Sequence, residues 1–180
     1  CTDRMYTHSA ENELAQELLD SDCTHLFMTE MDMILPRHTL VALAELDKPV
    51  ASGVYFLRNG QGQPCLYKKS VAPATNPYTH SPVHVFPQTR PFRIDCPGLG
   101  CVLIHRSVFE TLPFPFFDLG ERRFGSDMYF YTKVREAGFE VWATPAVYCD
   151  QIDYQIVGYK DYVARLERDK DFASSGFIAW

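Results

Sequence analysis

The chain contains no C-x-x-C pair, although it carries six cysteines: Cys1, Cys23, Cys65, Cys96, Cys101 and Cys149. A cysteine-built zinc site is therefore not expected. Most of these residues sit inside apolar runs, as reduced, buried thiols do, so the expected compartment is cytoplasmic. A basic stripe is missing as well. Lys and Arg number 17 against 23 Asp and Glu, for a formal net charge of -6, so no nucleic acid partner is expected. No apolar run approaches the roughly 20 residues that cross a bilayer, so no membrane span is expected. Neither G-K-[ST] nor G-x-G-x-x-G occurs around Gly98 and Gly100, which sets aside a Walker or Rossmann phosphate loop there. No internal repeat is visible. The chain opens on Cys1, so the lack of a targeting segment carries no weight.

What is present suffices for one domain over residues 1–180, with 46% hydrophobic and 14% aromatic residues. The organising stretch is Met28-Thr29-Glu30-Met31-Asp32. An apolar run, His25-Leu26-Phe27-Met28, leads into it, short enough for a buried strand. Met33-Ile34-Leu35 and then Pro36 follow, with proline favoured in the first turn of a helix. In an open α/β sheet, ligands bind just beyond the carboxyl ends of the strands. Glu30 and Asp32 are hard oxygen donors at such an end and suit Mg²⁺ or Mn²⁺. An acidic turn with no ligand reads equally well from this triplet alone.

Around this stretch the pattern predicts alternating elements. Ser9 is expected to cap a helix to Asp20, with Leu14 and Leu18 on one face. A helix after Pro36 is expected to turn Leu40, Leu43 and Ala44 inward and to end near Asp47. A strand is expected over 50–58, a turn at Asn59-Gly60-Gln61-Gly62, and a returning hairpin at Cys65-Leu66-Tyr67. Pro73, Pro77, Pro82, Pro87 and Pro91 predict a long, mobile loop over residues 70–91. Strands are expected at 101–105, 139–143 and 146–149. Helices are expected at Val108 to Leu112, at Met128 to Ala137 with Gly138 as stop, and at Tyr159 to Lys170. Residues 171–180 read as a tail.

Three acidic clusters thus stand at strand ends or helix starts: Glu30 with Asp32, Asp127, and Asp150 with Asp153. Each has a plain alternative. Asp127 follows Gly125-Ser126 at a helix entrance, where it can simply cap the helix; that position predicts a lowered pKa. Asp150 and Asp153 can be a solvated turn. Gly98 and Gly100 can be a turn, or can let a ligand approach the backbone. His105, closing an apolar run, reads as structural.

The order of these motifs resembles the GT-A glycosyltransferases, in particular the family 2-like nucleotide-diphospho-sugar transferases. The likeness runs from Ser9-Ala10-Glu11-Asn12, similar to a degraded Arg-Asn helix start, through Thr29-Glu30-Met31-Asp32 to Pro36, similar to a D-x-D segment followed by proline. It continues through Gly53 to Arg58, through Gly98-Leu99-Gly100 and the strand to Arg106, and through Pro115-Phe116-Phe117 to Gly125-Ser126-Asp127-Met128-Tyr129-Phe130. It covers roughly Ser9 to Asp153. Departures are Glu30 for the first Asp, Ser126 for the usual Glu, and Cys149-Asp150-Gln151 where a metal-binding His often stands.

The resemblance implies a three-layer α/β fold, a mixed sheet flanked by helices. In the family the first strand and base pocket lie upstream of the D-x-D strand by more residues than precede it here, so an N-terminally truncated or reduced variant is expected. The resemblance also implies metal-dependent transfer of a sugar from a nucleotide-diphosphate donor to a hydroxyl acceptor, with inversion. Asp127 would be the catalytic base. Glu30, Asp32, Gly98, Leu99 and Gly100 would bind the donor. The metal, Mn²⁺ or Mg²⁺, would be held by Asp32 and Glu30 with Asp150 or Gln151. A non-catalytic sugar-nucleotide or glycan-binding domain of the same descent is the rival expectation. A nucleotidyltransferase of similar fold is weaker, because those enzymes carry a Gly-rich signature at the N-terminus.

Overall fold

Helix α1 (Thr7–Leu19) turns Glu11, Asn12, Ala15 and Leu18 to the interior, a stripe with helical spacing. The computed structural model describes residues 5–58, 62–70, 80–120, 125–152 and 156–169. The helix begins earlier than Ser9: Tyr6 is its N-cap residue, and no side chain caps it. Leu14 lies toward solvent, 37% exposed, so the inward stripe runs through Ala15 instead. In chain order there follow β1 (His25–Thr29), β2 (Met33–Ile34), α2 (Thr39–Ala44), β3 (Val50–Val54), β4 (Tyr67–Lys69), β5 (His80–Pro82), β6 (Phe92–Arg93) and β7 (Cys101–His105). Then come α3 (Arg106–Thr111), α4 (Ser126–Glu136), β8 (Val141–Tyr148), β9 (Asp150–Ile152), β10 (Ile156–Val157) and α5 (Tyr159–Arg168).

Five strands form a mixed sheet in the order β1-β7-β3-β8-β6. β7 lies antiparallel between β1 and β3, whereas β3 and β8 are parallel. β1, β3 and β8 therefore run the same way and end on one edge. Side chains alternate between two faces along each strand. Val102 and Ile104 join a core with Phe109, Phe130, Tyr131 and Tyr162 from α3, α4 and α5. Cys101 and Leu103 join the opposite core with Leu43 of α2. The sheet is thus flanked by helices on both faces, which is the expected layering.

Several expected elements differ. Met33 and Ile34 precede α2, as expected, but form a strand of their own: they pair with Gln151 and Asp150 in the small sheet β10-β9-β2. In α2 only Leu43 of the three expected residues is fully buried, and Leu40 is 51% exposed. The inward face of α2 runs through Thr39 and Leu43, four residues apart. The two strands expected at 139–149 are one, β8, whose pairing with β3 shifts register between Gly53 and Val54. The hairpin is present: Cys65 N donates to Tyr55 O at 2.9 Å and Leu57 N to Gln63 O at 2.8 Å. Residues 59–61 of its turn and the expected tail lie outside the described residues.

The expected loop over 70–91 is corrected in part. Residues 71–79 lie outside the described residues. Beyond them His80–Pro82 form β5 against β4, and Val83 and Phe86 are buried in the core. The prolines remove backbone donors but leave these apolar side chains free to pack. The Phe86 ring lies 5.6 Å from that of Phe92 and 5.2 Å from that of Tyr162. Phe86→Ala should therefore lower stability by about 3–5 kcal/mol, read from the urea midpoint. A loss below about 0.5 kcal/mol would show that this segment is not part of the core.

Candidate active site

The common edge of β1, β3 and β8 gathers most of the expected site residues. Glu30 and Asp32 follow β1, Tyr55 and Arg58 follow β3, and Gly98-Leu99-Gly100 precede β7 at the same edge. Asp127 opens α4 and Gln151 lies in β9. A cavity of about 290 Å³ is lined there by Glu30, Tyr55, Arg58, Cys65, Asp127 and Gln151, among others. A roomier polar cavity of about 340 Å³, lined by His25, Lys48 and His105, sits at the other end of β1. Its one acidic lining residue is Asp47, and it holds none of Glu30, Asp32 and Asp127, so the chemistry selects the smaller one.

Glu30 and Asp32 are held by two neighbours. Arg58 Nη1 lies 2.8 Å from Asp32 Oδ2. Gln151 Nε2 donates to the same oxygen at 3.2 Å and to Glu30 Oε2 at 3.5 Å. Burial raises the pKa of Glu30, the charge of Asp32 raises it further, and Arg58 draws it down. Among the described residues no group of three His, Cys, Asp or Glu is arranged to hold a metal ion. The two carboxylates supply oxygen ligands for a hard divalent ion completed by water; Gln151 presents its nitrogen to both and would ligate only with its amide oxygen turned to the ion. Arg58 is a stand-in cation at that point.

Asp150 is placed elsewhere. Neighbouring residues of a strand face opposite ways, and the Asp150 carboxylate packs on Gly158, where an added Cβ would meet Oδ1 at 1.8 Å. Gln151, not Asp150, thus joins the acidic pair. Asp153 and Phe124 lie outside the described residues.

Gly98, Leu99 and Gly100 are absent from the cavity lining. The glycines make room for Tyr55. A Cβ at Gly98, whose φ is +70°, would meet Tyr55 Oη at 2.0 Å, and one at Gly100 would meet its Cζ at 2.9 Å. Gly100 N donates to Tyr55 Oη at 3.3 Å, and Tyr131 Oη donates to Gly98 O at 2.6 Å. Leu99 is a core residue. The turn shapes the cavity through Tyr55.

Asp127 corrects the expected electrostatics. Gly125 is the N-cap residue of α4, so Asp127 stands within the first turn. Its Oδ1 accepts from Met128 N at 2.7 Å. Burial nonetheless raises its pKa, outweighing the backbone hydrogen bonds that lower it. Desolvation disfavours the charged form more than the helix terminus favours it.

Glu11, Tyr55 and Arg58 are site residues that the motifs did not single out. Glu11 is 8% exposed. Burial pushes its carboxyl up to about 7, against a Ser126 hydrogen bond that lowers it; the charges of Asp127 and Glu30 raise it further. Its Oε2 has no hydrogen-bond partner among the described residues. The readable signal was spacing: Glu11, Ala15 and Leu18 share one helical stripe. Beside it Asn12 is satisfied at both ends. Its Oδ1 accepts from Phe116 N and Phe117 N at 2.8 and 3.1 Å, and its Nδ2 donates to His8 O and Phe117 O at 2.8 and 2.7 Å.

No family model matches the chain, and no curated protein matches it. Solved structures do match. A197 from STIV is similar, with a TM-score of 0.63, 18% identity, and coverage of 88% of this chain and 74% of the other. At that identity the likeness shows the fold alone. Among the described residues no helix is long and apolar enough to cross a membrane.

Glu11 makes the stability of the chain depend on pH. Its folded pKa of about 7 lies above the ordinary 4.5. Between these values the folded chain holds a proton that the unfolded chain has released, so stability falls as pH rises through that window. Glu11→Gln removes this loss. The stability of the variant relative to the unmodified chain should grow from pH 4.5 to 7 by up to roughly 3 kcal/mol and then level off. Chemical denaturation across that range measures it; a difference independent of pH would show a normal carboxyl.

Proposed function

We propose that the chain is a metal-dependent glycosyltransferase of the GT-A kind. It moves a sugar from a nucleotide-diphosphate donor to a hydroxyl acceptor with inversion. The observation that carries this reading is the convergence of Glu30, Gln151 and Asp127 on one cavity at the carboxyl edge of the sheet, with Asp32 tied to it through Gln151 and Arg58. These residues come from distant parts of the chain, and their order matches the family motifs.

In this reading Asp127 is the general base. It accepts the proton of the acceptor hydroxyl as that oxygen bonds to the anomeric carbon, while the bond from that carbon to the diphosphate breaks. One base on the acceptor side, opposite the leaving group, inverts the centre. The raised pKa of Asp127 makes its carboxylate a better proton acceptor than an exposed one near neutral pH. Glu30, Asp32 and Gln151 would hold a manganese or magnesium ion, which when bound would supply positive charge to the departing diphosphate. Tyr55 and Cys65 wall the cavity and limit water near the reacting groups.

A second reading, binding of a sugar nucleotide without turnover, is favoured by one contact. The Arg58 guanidinium already pairs with Asp32, so part of the charge of the acidic pair is offset without metal. Donor hydrolysis that needs Mn²⁺ and stops with a chelator separates the two.

Asp127→Asn keeps the size and hydrogen-bonding shape of the side chain but cannot take a proton. The variant should fold and bind donor like the unmodified chain, yet transfer sugar about 10²–10⁴-fold more slowly. Asp32→Ala should lose Mn²⁺-dependent stabilisation by nucleoside diphosphate in a thermal-shift assay. Near-normal transfer by Asp127→Asn would remove the base from the mechanism.

A further inference from the structure

The acidic pair already carries a cation of its own. Arg58 Nη1 sits 2.8 Å from Asp32 Oδ2, on the oxygen that also accepts from Gln151. The Asp32 side chain is 24% exposed and that of Arg58 is 53% exposed. Arg58 lines the same cavity as Asp127 and Tyr55. Its backbone follows the last fixed contact of the hairpin, Leu57 N to Gln63 O at 2.8 Å. A long, half-exposed side chain anchored at its base can re-aim its head group without moving the sheet.

We infer that Arg58 is a latch on the donor site: it occupies Asp32 while the cavity is empty and transfers to the diphosphate when the donor enters. This rests on the function proposed above. Two facts of charge drive it. A bare divalent ion competes with Arg58 for Asp32, because two cations repel on one carboxylate. A diphosphate offers the guanidinium more negative charge and a bidentate fit that one Asp32 oxygen does not. Ion and diphosphate together therefore displace and re-employ Arg58, whereas the ion alone must overcome it. The site would favour metal arriving with donor over metal alone.

Titration calorimetry on the full 180-residue chain tests this with two probes, Mn²⁺ alone and inorganic pyrophosphate in the presence of chelator. Arg58→Ala and Arg58→Gln should bind Mn²⁺ about five-fold more tightly, the scale of an exposed ion pair. They should bind pyrophosphate roughly ten-fold or more weakly, the scale of a lost charge-assisted hydrogen bond. Arg58→Lys should keep part of the pyrophosphate binding. Opposite shifts establish the latch. Unchanged affinities in both arms, or a gain for Mn²⁺ with none lost for pyrophosphate, overturn it while leaving the transferase reading intact. Opposite shifts in a chain that transfers no sugar keep the latch and remove the transferase reading. Failure of every form to bind either probe removes both.

Discussion

The position of Asp127 hangs on one buried amide, that of Asn12. It grips the backbone of Phe116 and Phe117 from α1, with every donor and acceptor used. That grip sets the aromatic layer in which Phe117 and Phe130 stack at 4.6 Å and Phe109 meets Phe116 edge to face. Phe130 belongs to α4, so the layer fixes the helix whose first turn carries Asp127. Lys133, lower on the same helix, holds the carbonyls of Pro113 and Pro115. The other end of α1 is fastened as firmly. Arg106 donates to the carbonyls of Leu18, Leu19 and Ser21 at 2.7–2.8 Å while pairing with Glu110. The base role proposed for Asp127 requires placement within a fraction of an ångström, and these polar ties hold its helix across a long stretch of sequence.

The site concentrates negative charge where water is scarce. Glu11, Glu30 and Asp127 all have raised pKa values, each chiefly through burial. Such a cluster destabilises the folded chain when empty, and titratable groups shifted in this way gather at functional sites. Arg58 and Gln151 offset part of the repulsion at Glu30 and Asp32. Glu11 has a Ser126 hydrogen bond but one oxygen without a hydrogen-bond partner among the described residues.

Much of the layering was legible because periodicity reports burial. Cys101 to His105 read as a buried strand and residues 50–58 as a strand; the first is β7, the second contains the shorter β3, and both lie in the interior of the sheet. Acidic residues at strand ends were legible for a topological reason, since β1, β3 and β8 finish together. What escaped was set by contacts remote in sequence. Met33 and Ile34 read as a helix approach, but Gln151 and Asp150 draw them into a ladder. The proline-rich stretch read as loose, yet Val83 and Phe86 reach the core. Gly98 and Gly100 read as ligand-facing or as a turn; only the fold reveals the tyrosine ring that fills their space. The pKa of Asp127 was read from its helix position, and burial, which sequence does not report, reversed its sign.

The central place of β7 has a consequence in time. Among the described residues β1 bonds within its sheet to β7 alone, and β3 lies between β7 and β8. The sheet partners that these early strands have among the described residues are therefore all drawn from residues 101–148. As the chain leaves the ribosome, α1 can wind locally, but β1 and β3 present unpaired edges until Cys101–His105 emerges to slide between them. Pairings over such separations pay loop-closure entropy before they gain contacts, which slows folding. Unpaired apolar edges in the interval are where a nascent chain associates wrongly. The strand that aligns the site in space is also the one whose arrival sets when the sheet can form.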